Sequence, residues 1–117
     1  MKYLLMIVNR ESDWQALSPA EQEKVISGMN RFDDQLRSAG KFVSCGGLAP
    51  STEAKTVRLT DAGRAVSGGP AFKITPGGEL VTGFFVIESA TIDEAAEWAK
   101  KMPIVAGAIE VRPIAME

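Results

Sequence analysis

The chain of 117 residues contains no histidine and a single cysteine. Without an imidazole, Ser-His and Cys-His catalysis is excluded within one chain, and the commonest zinc ligand is missing; one cysteine closes no internal disulfide. An excess of charge of one sign is also lacking. Thirteen Lys and Arg stand against fifteen Asp and Glu, for a net charge of −2 and a pI near 5.2, which argues against general binding of nucleic acid or anionic membrane. The opening apolar run, Tyr3 to Val8, spans six residues after one lysine, too short for a secretory signal core or a membrane span. The protein is therefore expected in the cytoplasm, a reducing compartment that suits the free thiol of Cys45. The paired glycines Gly46-Gly47, Gly68-Gly69 and Gly77-Gly78 lack the strand-loop-helix context and lysine of a phosphate loop. The carboxylates lack calcium or two-metal spacing. No cofactor, metal, nucleic-acid or membrane partner is expected.

With 45% hydrophobic and 24% charged residues, the composition predicts one soluble domain over residues 1–117. Lys2 to Val8 is apolar at odd and even positions alike, the mark of a central strand covered on both faces. Ser18-Pro19-Ala20-Glu21 combines an N-cap serine, a first-turn proline and the glutamate of a capping box, so a helix is predicted from Pro19. Val25, Ile26, Met29, Phe32 and Leu36 supply its apolar stripe, and Gly40 stops it after about Ser38.

Lys41 to Leu48 predicts a strand. Thr56 to Leu59 predicts a second, returned through Asp61-Ala62-Gly63-Arg64 to a short Ala65-Val66 partner. Ser67 to Glu79 is rich in Gly and Pro and is expected to be the least ordered internal segment. Leu80 to Glu88 is again apolar on both faces. Thr91-Ile92-Asp93-Glu94 opens a second helix, with Ile92, Ala95, Ala96, Ala99 and Met102 as its buried stripe and Pro103 as its stop. Ala108 to Arg112 closes the chain as a strand, with Pro113 placing it at a sheet edge or its end.

This order predicts an α+β fold, the ferredoxin-like split βαβ with an inserted hairpin and both helices on one sheet face. Two helices cannot cover the second face, so a homodimer joined through the sheets, a dimeric α+β barrel, is expected.

The chain resembles the YCII-related family, in its DGPF-type branch, over nearly its whole length. The resemblance is carried by Met1-Lys2-Tyr3-Leu4-Leu5, Leu17-Ser18-Pro19-Ala20-Glu21, Ala39-Gly40 with Gly47-Leu48-Ala49-Pro50, and Thr56-Val57-Arg58-Leu59. Gly69-Pro70, Gly83-Phe84-Phe85-Val86-Ile87-Glu88, Glu94-Ala95-Ala96-Glu97-Trp98-Ala99 and Ile109-Glu110-Val111-Arg112-Pro113-Ile114 continue it in the same order. It implies a dimeric α+β barrel of a bacterial cytoplasm, in a family most of whose members have no established activity. The Asp-Gly-Pro-Phe motif stands here as Gly68-Gly69-Pro70-Ala71, without its carboxylate. Met29 falls where YciI-like members carry a histidine, so their histidine–aspartate pair does not carry over.

Asp33 and Gln22 lie within the apolar arc of the long helix. A carboxylate there is either a pocket acid or base, which makes Asp33 the candidate catalytic residue, or a structural partner of Arg37 four residues on. Arg10 and Trp14, beside Asn9 after the first strand, pair a cation with an aromatic ring as candidate ligand contacts, and Met29 is a third. Glu110 and Arg112 share a strand face with Glu88 nearby; they form an ion-pair ladder across strands or across the dimer, or Arg112 is a fourth ligand contact. Cys45 reads as a small hydrophobe rather than a reactive thiol. Two functions follow: a small-molecule-binding or accessory module without catalysis, or an enzyme using Asp33 in proton transfer on an aromatic or lactone-like substrate. Absence of histidine favours the first.

Overall fold

A computed structural model of the chain describes residues 1–71 and 78–117. The elements run β1 (Lys2–Asn9), α1 (Glu11–Gln15), α2 (Pro19–Ser38), β2 (Phe42–Gly47), a 3-10 turn (Ser51–Glu53), β3 (Lys55–Thr60), β4 (Gly63–Gly68), β5 (Leu80–Glu88), α3 (Ile92–Ala99) and β6 (Ala108–Pro113). β2, β5, β1 and β6 form an antiparallel four-stranded sheet in that order, and β3 and β4 pair separately as a hairpin. This is the predicted α+β, ferredoxin-like architecture, with the two strands that are apolar on both faces at its centre and β6 at an edge.

Alternation along β1 buries Tyr3, Leu5 and Ile7 against the helices, together with Phe85 and Ile87 of β5. α2 contributes Phe32 and Leu36; α3 contributes Ala95 and Ala99. The Phe32 ring meets Phe85 edge-on at 5.0 Å and Trp98 at 6.4 Å, locking both helices to the sheet. The opposite face carries a second ladder. Leu4 lies between Arg112 and Val86, and Met6 between Glu110 and Phe84, so four half-buried apolar side chains line up across the two central strands.

Helix α2 begins as its cap sequence dictates. Ser18 Oγ accepts from the Glu21 amide at 3.2 Å, and the Glu21 carboxylate accepts from the Ser18 amide at 3.0 Å. α3 has the Thr91 cap, accepting from the Glu94 amide at 3.1 Å, while the Glu94 carboxylate is held by Lys41 at 2.8 Å.

The structure differs from expectation at several places, among them Ile92 of the α3 stripe, which is 45% exposed. β4 starts at Gly63 and runs to Gly68, so the turn shrinks to Asp61-Ala62; Gly63, at φ +121°, takes the backbone conformation that closes it. Ser67 and Gly68 thereby belong to a strand, whereas the core of the expected irregular segment, 72–77, lies outside the described residues. Glu11–Gln15 is helical where a loop is expected. Finally, α2's stripe is not buried throughout: Ile26 is 45% exposed, whereas Phe32 and Leu36 are sealed. α2 has 20 residues and α3 eight, or about 30 Å against about 12 Å, so the first half of α2 overhangs sheet that α3 does not reach.

Candidate functional site

Under that overhang lies a cleft of about 990 Å³. Val25, Ile26, Met29, Asn30 and Asp33 of α2 form one wall. The ends of β1, β2 and β5 supply Ile7, Cys45, Val81, Thr82 and Phe85, and the segments after β2 and α3 add Leu48, Pro50, Ile104 and Val105. α1 and the 3-10 turn close one side with Arg10, Glu11, Asp13, Trp14, Ser51 and Glu53.

Its floor includes Gly83 of β5, where the neighbouring strands approach closely. A Cβ there would lie 3.1 Å from the Gly46 carbonyl oxygen and 3.3 Å from Ile7 Cδ1, so any larger residue would press on the neighbouring strands. Gly107, at φ +91°, lets the chain pass directly behind β1; a Cβ there would sit 2.6 Å from Asn9 Cβ and run into the Val8 carbonyl. Asn9 is fixed on its other side by Thr82, whose hydroxyl donates to Asn9 Oδ1 at 2.7 Å.

The side near α1 is held by two polar ties. Glu11 accepts from the Ser51 amide at 2.8 Å and from the Ser51 hydroxyl in a short hydrogen bond. Both bonds favour the ionised carboxylate, so Glu11 titrates below the ordinary glutamate range. Gln22 donates from Nε2 to the Trp14 carbonyl at 3.1 Å, which explains a polar residue within the helix's apolar arc: its partner is a backbone acceptor of α1.

Asp33 stands in the opposite wall. Arg37 Nε donates to Asp33 Oδ1 at 2.8 Å, and the Asp33 side chain is 27% exposed. The Arg37 guanidinium also lies 3.8 Å from the Phe42 ring centroid. Asp33 thus lines the cleft and is paired to Arg37. The Cys45 thiol is pushed above its ordinary value, first by desolvation, then by the negative charge of Asp33, with Arg37 pulling the other way. At pH 7 it is a neutral wall group rather than a thiolate.

Of the sequence candidates, Asp33, Arg10, Trp14 and Met29 come together around this cleft, drawn from two helices and the turn between β1 and α1. Met29 presents a thioether where the resemblance gives other members an imidazole. Arg112 lies elsewhere, on the outer face of β6, with its Nε 3.7 Å from Glu110 Oε2. The two are neighbours on one strand, so this contact is not the ladder across strands or across the dimer that is expected. Sequence reasoning missed Glu11, Ser51, Asn9–Thr82 and the Leu48–Pro50 rim. Glu11 and Ser51 are 40 positions apart, and no local pattern links them. Among the described residues, no cluster of three or more Cys, Asp or Glu is placed to hold a metal, and no helix is long and apolar enough to cross a membrane.

A split βαβ sheet with both helices on one face and an apolar cleft under the longer helix defines a small ferredoxin-like α+β domain with a concave site. The chain belongs to the YCII-related family, whose domain matches residues 1–116. It is similar to an uncharacterised protein of Rhizobium meliloti (strain 1021), 33% identical over 119 aligned residues that cover 99% of this chain and 94% of the relative.

Proposed function

We propose that this is a small-molecule-binding protein of the cytoplasm, of the DGPF-type branch of its family, which works as a homodimer and binds its ligand in the α2 cleft without chemistry. The observation that carries this is the cleft itself: about 990 Å³, at the upper end of the size of metabolite sites, with mostly apolar walls and a few placed polar groups. Binding is favoured over proton transfer because the two carboxylates anchored at its walls are already engaged, Asp33 by Arg37 and Glu11 by Ser51. Homodimerisation is supported by the outer ladder of Leu4, Met6, Phe84 and Val86, which no helix among the described residues covers.

The test is an NMR titration with the neutral apolar probe 4-phenylbutanol, backed by a thermal-shift panel of metabolites. Amide shifts are expected at Met29, Cys45 and Thr82 and should weaken in Met29→Trp, whose ring narrows the cleft. Shifts that map to another surface, or no binding by the probe and by every panel member, would end the proposal.

A further inference from the structure

The polar groups around the cleft are unevenly signed. Among the described residues, its charged lining side chains are Glu11, Asp13, Asp33 and Glu53 against Arg10, four carboxylates to one guanidinium. They are not gathered at one point. Glu11, Asp13 and Glu53 stand on α1 and the 3-10 turn, and Asp33 faces them from α2. Arg37, which holds Asp33, is not part of the lining. A carboxylate offers about four acceptor positions, of which Arg37 Nε fills one.

We infer that the cleft selects organic cations, amines or quaternary ammonium ions on an apolar body, and discriminates against the matching carboxylates. The apolar body is taken up by Ile26, Met29 and Phe85, while the cation stays near the acidic rim. Low-dielectric walls focus the field of that rim on the bound group. Trp14, 40% exposed on α1 between these acids, offers the ring face that an ammonium or alkylammonium prefers. The upward push on Cys45 comes first from desolvation, and the contribution of Asp33 that follows it has the sign expected of this lining, against an opposing one from Arg37.

This inference rests on the cleft being a binding site, and the experiment separates the two. Isothermal titration at pH 7 compares 4-phenylbutylamine, 4-phenylbutanol and 4-phenylbutyrate, which share one apolar body and differ in charge. The amine is expected to bind roughly tenfold tighter than the butyrate at low salt. That ratio should narrow at 0.5 M salt, where the Debye length is only about 4–5 Å. It should also fall in the folded double variant Asp13→Asn, Glu53→Gln. Butyrate binding as tight as the amine, or an amine no better than the alcohol, overturns cation selection and leaves the cleft reading standing. No binding by any of the three overturns both.

Discussion

Cys45 and Glu11 show opposite uses of local chemistry. The Cys45 thiol sits on an exposed strand end, yet low-polarity surroundings and the Asp33 charge disfavour its thiolate. It is expected to react with iodoacetamide more slowly than free cysteine at pH 8. Asp33→Asn, by removing the negative neighbour and releasing Arg37, should raise the rate and move its pH midpoint down; an unchanged midpoint would show that Asp33 exerts no field there. Glu11 is shifted the other way, below the ordinary glutamate value of about 4.3. A lowered folded value means that its contribution is fully present above the unfolded value and is lost as pH falls through the folded one. Glu11→Gln is therefore expected to cost about 1–2 kcal/mol at pH 7 and to make stability less steep in acid, as read by urea unfolding between pH 7 and pH 3. Equal stability of the two proteins at pH 7 would show that the tie to Ser51 does not hold α1.

At the scale of elements, α2 is held in two different ways along its length. Its second half is fixed by Phe32 and Leu36 in the core; its first half has Ile26 at the cleft and relies on its cap. Capping therefore matters more here than in a helix buried throughout. Ser18→Ala is expected to cost about 1 kcal/mol and to raise hydrogen exchange first in residues 20–26 rather than across the helix. Uniform exchange would mean that the helix opens only as a unit with the core. The α1 helix has the reverse character: five residues, no side-chain cap bond and no buried residue. Too short to be stable alone, it forms where Glu11 meets Ser51 and Gln22 meets its Trp14 carbonyl.

For the whole molecule, the Cα radius of gyration is 15.9 Å, against about 13 Å for a compact domain of this length. The β3–β4 hairpin, which pairs with no strand of the main sheet, shows why: Val57, Leu59 and Val66 on it are 61%, 74% and 65% exposed. A hairpin bearing apolar residues and a sheet face bearing Leu4, Met6, Phe84 and Val86 are surfaces that a second copy would cover. Light scattering at micromolar concentration is expected to give twice the chain mass of 12.5 kDa. Val86→Asp should shift that to the monomer mass or to aggregates, since burying an unpaired charge costs several kcal/mol. A wild-type monomer would refute the assembly.

Periodicity and caps determined α2 almost to the residue, because Ser18, Pro19 and Glu21 at one end and Gly40 at the other act through neighbouring backbone groups. Two-sided apolarity likewise marked β1 and β5 as strands with both faces apolar, and the sheet places both at its centre. The sequence also placed Asp33 on the long helix's apolar arc and Arg10 and Trp14 after the first strand, but not their common cleft. That was decided in three dimensions, by the unequal lengths of α2 and α3, by the Gly83 floor and by Glu11 meeting Ser51 across 40 residues of chain. Local patterns report what a backbone segment prefers; a cleft exists only where several segments stop short of one another, and that depends on packing.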